Sequence, residues 1–259
     1  MTGLERIACV IPARNEADTI AEVAAGAHRH LGWVIIVDDG SVDGTADRLK
    51  GLPVTLLRNP SPRGKAASLF RGARIAIADG AQAIITLDGD GQHCPDEIPR
   101  VIDAAKDHPL TIIIAARAHG RSAAPIIRRF ANRFADFWVS WAAGYPIADS
   151  QSGFRLYPKQ AFECARNRYG SGSGFVLESE ILIDAARRGY YSVGVPVDAI
   201  YHPNGRASHY RPIVDTLRIT RMVAWELIKQ GFSPIGLFRS LGFVSHPETK
   251  QAHGLKPYR

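Results

Sequence analysis

Long apolar runs are missing from this 259-residue chain. No stretch approaches the roughly 20 residues a helix needs to span a bilayer, so nothing in it reads as an integral membrane protein. Cysteine is scarce as well. Cys9, Cys94 and Cys164 are odd in number and far apart, which excludes a disulfide framework and zinc-ligand spacing and points to a reducing cytoplasm rather than export. The opening residues Met1 to Arg6 run into a strand-like segment and show no signal-peptide core. There is no internal repeat. Pro60-Ser61-Pro62-Arg63-Gly64-Lys65 does not fit the phosphate-loop pattern G-x-x-x-x-G-K-[ST]. No G-x-G-x-x-G follows the first strand either, which argues against a dinucleotide oxidoreductase. Signatures of nucleic-acid modules are also absent, so the net charge of +7 has no readout helix beside it. That charge suits anionic lipid or phosphorylated small molecules equally well; a nucleic-acid-binding protein is the remote alternative, and no nucleic-acid partner is expected.

What the chain does contain is Leu87-Asp88-Gly89-Asp90-Gly91-Gln92-His93, led in by the apolar run Ala83 to Leu87. Two carboxylates one residue apart, with an amide beyond them, form an oxygen-ligand cluster at a strand's end. Mg²⁺ and Mn²⁺ take such ligands, usually one or two carboxylates completed by water and substrate phosphate. The plain alternative is a turn, because Gly and Asp dominate turns.

Short β-branched runs alternate with helix-like segments. Strands are expected at Ile7–Ile11, Val34–Val37, Val54–Leu57, Ala83–Leu87 and Thr111–Ala115, and helices at Ala17–His28, Gly44–Leu49 and Lys65–Ala78. This alternation predicts an α/β fold with a mostly parallel sheet covered on both faces. Ligands then bind at the strands' C-terminal edge. The polar clusters Pro12 to Glu16, Asp38 to Ser41 and Asp88 to Asp90 each follow a strand, so they converge on one rim. Of the adjacent pair Asp38 and Asp39, opposite side-chain directions allow one to face a ligand, and Asp39 is the expected one.

Between His108 and Ala135 there is no acidic residue, yet Arg117, Arg121, Arg128, Arg129 and Arg133 occur there. From Pro125 onward a helix is expected, on which Ile126, Ile127, Phe130, Phe134, Phe137, Trp138 and Trp141 share an arc of roughly 120°. That arc is either core or a membrane-interface face; the arginines are either a solvated face or a site for an anionic acceptor. Ile213 to Gln230 is a second amphipathic candidate beside it.

These motifs in this order resemble the family-2 glycosyltransferases, in the branch of dolichol-phosphate mannose synthases and dolichyl-phosphate glucosyltransferases. The likeness runs from about Ile7 to Leu217. It rests on Ile11 to Glu16, Val37 to Ser41 with Asp43-Gly44-Thr45, Gly64-Lys65, Leu87 to His93, Asp149 to Tyr157, Glu178 to Ile183 and Val195-Pro196-Val197. The resemblance implies a GT-A fold, a Rossmann-like nucleotide-sugar half to about residue 115 and an acceptor half from about 116 to 245. Residues 246–259 are expected as a loose tail.

The resemblance also implies a UDP- or GDP-hexose donor, Mg²⁺ or Mn²⁺, inversion at the sugar carbon and a polyprenyl-phosphate acceptor. Carried onto this chain, Pro12, Ala13, Arg14, Glu16, Asp39, Lys65, Asp88 and Gly89 would bind the donor. Asp88, Asp90 and Gln92 would hold the metal. Arg117, Arg128, Arg129, Ser152 and Arg155 would receive the acceptor, with Asp149 and Asp90 at the reaction centre. Asp149 is either a general base or a structural partner of Arg155. Glu180 fits the family position better than Glu178, and His202 or His209 could join the metal. The enzyme is expected in the cytoplasm, at the inner face of an anionic membrane. A soluble transferase acting on a hydroxyl is the alternative.

Overall fold

Side chains on the first strand point alternately to two layers. Ala8 and Val10 enter one buried cluster, Cys9 and Ile11 the other, as the two-residue period of a strand requires. The computed structural model describes residues 4–119, 126–165, 174–198, 212–229 and 231–245. In chain order these form β1 (Ile7–Ala13), α1 (Ile20–His30), β2 (Val34–Asp38), β3 (Thr55–Arg58), α2 (Lys65–Ala78), β4 (Ala83–Thr86), α3 (Ile98–Asp107), β5 (Ile112–His119), α4 (Ile126–Ala143), β6 (Arg155–Pro158), α5 (Lys159–Phe162), α6 (Gly174–Ala186), β7 (Ser192–Asp198), α7 (Pro212–Lys229) and α8 (Pro234–Ser240).

Seven strands make one sheet in the order β3-β2-β1-β4-β6-β5-β7. All neighbours are parallel except β6, which runs antiparallel between β4 and β5. Helices α2, α4, α6 and α7 cover one face and α1 and α3 the other. Both faces of β1, β2 and β4 are therefore buried, which explains the apolar runs that fill them up to Asp38 and Thr86 at the ends of β2 and β4. Each fully buried Ile or Val in these strands stabilises the fold by about 1.5–3 kcal/mol.

The registers Ala13↔Asp38 and Thr86↔Arg155 bring the C-terminal ends of β1, β2 and β4, and the N-terminal end of β6, to one edge. Arg117, near the end of β5, comes out on the same edge because β5 and β4 both oppose β6.

Some boundaries differ from the sequence expectation. Glu16 to Thr19 form a turn ahead of α1, in which the Thr19 hydroxyl donates to the Gly89 carbonyl at 2.6 Å. The helix expected over Gly44–Leu49 shrinks to a 3₁₀ turn at Asp47–Leu49. There Asp43 and Thr45 use their side chains to bind loop backbone instead, competing with helix formation. The strand expected to end at Ala115 continues to His119 along β7. The tail 246–259, with Arg121, His202 and His209, lies outside the described residues, as do the side chains of Arg128 and Arg129.

Candidate active site

Two loops on the rim are stitched together by side chains. The Asn15 N–H donates to Ser41 Oγ (2.8 Å), the Glu16 N–H to Thr45 Oγ1 (2.8 Å) and the Ala17 N–H to Asp43 Oδ2 (3.1 Å), while Asn15 Oδ1 accepts from the Val42 N–H (3.0 Å). Asn15 itself is left-handed, with φ of 55°. This holds the Pro12–Glu16 segment against Gly89: a Cβ there would lie 3.4 Å from Ala13 Cβ and 3.5 Å from Glu16 Cγ. Arg14 is exposed at the lip, whereas Pro12 is buried in β1 opposite Val37.

At the centre, Lys65 Nζ bridges Asp88 Oδ1 (2.7 Å) and Glu178 Oε1 (2.8 Å). Lys65 is raised above its ordinary value, because the two carboxylates outweigh burial. Burial pushes the Asp88 carboxyl up, but Lys65, with Arg117 behind it, more than offsets this and holds it low. Asp90 goes the other way: burial first, and then the charge of Asp88, raise its carboxyl. The Gln92 N–H donates to Asp90 Oδ1 at 3.0 Å, across a left-handed Gly91. Among the described residues no three His, Cys, Asp or Glu side chains gather as a metal cage. Two neighbouring carboxylates, one destabilised by the other, with Gln92 in the same turn, nevertheless fit a hard divalent cation that substrate phosphate completes.

Next to this pair, Arg117 donates to Asp149 three times. Its backbone N–H (3.0 Å) and Nε (2.8 Å) reach Oδ2, and Nη2 reaches Oδ1 (2.8 Å). Asp149 is 1% exposed and sits at φ 51°.

The geometry corrects several expectations. Asp149 pairs with Arg117, not Arg155. Arg155 is fully buried, and its guanidinium donates to the carbonyls of Ser150, Ser152 and Glu178 and to the Tyr157 hydroxyl. It organises the segment ahead of β6 and cannot reach an acceptor. Ser152 is also fully buried, its hydroxyl donating to the Ala115 carbonyl. Asp39 is 3% exposed and accepts from Asn59 Nδ2, Ser68 Oγ and the Arg63 and Gly64 N–H groups. The carboxylate expected to face the donor shapes the loop from residue 59 to 64 in this structure.

Two residues of the cluster differ from the sequence expectation: Glu178, which ranks behind Glu180 there, and His93, which has no role in it. Glu178 closes on Lys65 from α6. His93, buried edge-on against Phe154, has its Nε2 4.0 Å from Asp88 Oδ2, and burial lowers its pKa to about 4, so it stays neutral. Glu178 is two positions from Glu180, about 200° round a helix, so the two acids point apart. The His in Gln92-His93 was the available signal for the second.

Solved structures share this architecture. Mannosyl-3-phosphoglycerate synthase from Rubrobacter xylanophilus superposes with a TM-score of 0.64 at 16% identity, covering 88% of this chain and 76% of that one. Glucosyl-3-phosphoglycerate synthase from Mycobacterium tuberculosis, determined with Mn²⁺, UDP and glucosyl-3-phosphoglycerate, gives 0.61 at 19%, covering 89% and 81%. The fold is GT-A. The family model for glycosyl transferase family 2 matches residues 8–166, and the chain belongs to that family; it is a glycosyltransferase. A dolichyl-phosphate N-acetylglucosaminyltransferase of Methanococcus voltae is 28% identical over 214 residues, 74% of this chain and 84% of that protein. A polyprenol monophosphomannose synthase of Mycolicibacterium smegmatis is 26% identical over 204 residues, 74% and 77%.

Proposed function

We propose that the enzyme moves a hexose from a UDP- or GDP-sugar to the phosphate of a polyprenyl lipid, with inversion, at the cytoplasmic surface of a membrane. The locked Asp149 carries this reading. A hydroxyl acceptor needs a base to take its proton, whereas a phosphate is already anionic and needs none. Asp149 is held by three donors of Arg117, and Asp88 and Glu178 both face Lys65. The similarity to transferases named for dolichyl-phosphate and polyprenol acceptors points the same way.

In this scheme Asp149 is a positioning residue that aims Arg117 at the acceptor phosphate. A phosphate oxygen attacks the anomeric carbon as the bond to the nucleoside diphosphate breaks, through an oxocarbenium-like transition state. Asp88, Asp90 and Gln92 would hold Mg²⁺ or Mn²⁺, which when bound supplies Lewis-acid stabilisation of the departing diphosphate. Lys65 fixes Asp88 and adds positive charge beside it. Ala13, Glu16 and Gly89 line the donor side.

The test is transfer of labelled sugar from UDP- and GDP-hexoses to a polyprenyl phosphate by the purified chain. Asp90→Asn should lower the rate by at least about 10²-fold. Transfer to soluble hydroxyl compounds but not to lipid phosphate would overturn the acceptor assignment.

A further inference from the structure

Two stripes of exposed apolar side chains, on different helices, run into one another. On α4, Phe134 and Phe137 are half exposed and lead to Trp141 at i, i+3, i+7 spacing. On α7, Trp225 (52% exposed) and Ile228 (55%) lead to Phe232 (50%) at the same spacing. The stripes meet where the Phe232 ring lies 6.1 Å from Trp141. Helix α8 extends the surface. Its Gly236 is buried against α4, and Trp141 Nε1 donates to the Ser233 carbonyl, so Ile235 (60%) and Phe238 (50%) are turned outward, with Phe243 (75%) 6.3 Å from Phe238. The opposite side of α7 is firmly seated, with Met222, Val223 and Leu227 in the core. Side chains this apolar and this exposed on a packed helix need a partner.

We propose that this α4–α7–α8 surface is a membrane-docking face that lies in the headgroup region of an anionic bilayer. Charge selects that occupant over a second copy of the chain. From Leu227 to Ser245 there is no carboxylate, only Lys229 and Arg239, and the preceding Glu226 is buried, where it pairs with Arg187 and Lys229. Exposed Arg221 lies on the α7 stripe itself, four residues before Trp225, and exposed Arg133 flanks the α4 stripe. Lys229 Nζ lies 5.2 Å over the Trp225 ring, a pairing of aromatic and cation suited to the interface. Two copies face to face would bring cation onto cation. No helix among the described residues is long and apolar enough to cross a membrane, so the face lies on the bilayer rather than through it. Asp136 of α4 accepts from the Ser150 N–H, next to Asp149, so the docking helix is tied to the catalytic rim. The inference rests on the proposed lipid acceptor for its purpose but not for its test.

The full chain is centrifuged with phosphatidylcholine vesicles with and without phosphatidylglycerol. Binding is expected with the anionic vesicles. Replacing three apolar residues together, Ile235→Ser, Phe238→Ser and Phe243→Ser, should weaken it at least about tenfold, and Arg221→Gln about fivefold in a salt-dependent manner. Unchanged circular dichroism and unchanged transfer to a short-chain, water-soluble prenyl phosphate would assign the loss to docking. Absent transfer in wild type and variant alike would count against the proposed reaction and leave the vesicle result to decide the face. Wild type that ignores anionic vesicles, a triple variant that binds as well as wild type, or a dimer that the triple variant dissolves would each overturn the proposal.

Discussion

Gly153 shows how tightly one residue can set the chemistry. A Cβ at this position would lie 2.3 Å from Asp88 Oδ2 and 2.7 Å from its Cγ. The backbone cannot retreat easily, because the Gly153 carbonyl accepts from the buried Thr86 hydroxyl at 2.7 Å. The Asp88 side chain would have to move, and with it the contact to Lys65. Gly153→Ala should therefore lower kcat/KM by about 10²-fold, the cost of displacing a reacting constellation by about 1 Å. Overpacking should cost about 1–3 kcal/mol of stability, so the variant still folds. Steady-state kinetics beside a thermal melt checks this; activity within twofold of wild type would mean that Asp88 has no fixed place in the reaction.

At the scale of elements, Asp39 joins the end of β2 to the start of α2. It accepts from the N–H of Gly64, which caps α2, and from Arg63, Asn59 and Ser68. Burial pushes its carboxyl up, but these four donors prevail and lower it from 3.8. A carboxylate depressed in the folded state adds stability above its unfolded pKa and loses it as pH falls through the folded one. Asp39→Asn should thus be destabilised by about 1–3 kcal/mol at neutral pH, and the gap to wild type should narrow below about pH 4. Urea unfolding across pH measures it, and a gap independent of pH would refute the ionic role.

The same element shows what a sequence can disclose. Strands β1, β2 and β4 announced themselves because both faces are buried and, apart from the closing Asp38 and Thr86, their residues are apolar. β6 did not: it is four residues long, begins with an arginine and inserts antiparallel among parallel neighbours, a placement that only the assembled sheet defines. α8, seven residues, is too short to show a period. Asp88 and Asp90 were visible as a local pattern and Lys65 and Asp149 as motif positions, but the pairing of Lys65 with Glu178 and of Arg117 with Asp149 joins segments far apart in the chain. Arg155 misled because an arginine in sequence looks like a surface cation, and only the ring of carbonyls around it explains its burial.

Taken whole, the molecule carries +7 yet sets two carboxylates close together at its rim, where Asp90 is raised by burial and by Asp88. A carboxyl raised in the folded state costs stability as pH climbs from its unfolded pKa through the folded one, so at neutral pH Asp90 works against the fold. Asp90→Asn should then melt higher than wild type in the absence of metal. Mn²⁺ should reverse the order, because only the wild type gains from placing a cation between two carboxylates. Adding a UDP- or GDP-sugar at about 100 times its Kd should contribute about 2.7 kcal/mol more, and chelation should return the wild type to its lower melt. The overall positive charge draws the anionic donor in without bearing on this local balance, so added salt should weaken nucleotide binding while leaving the metal-free ranking of the two proteins in place. If Asp90→Asn melts lower than wild type without metal and both gain equally from Mn²⁺, the acid pair is a structural turn and the cation binds elsewhere.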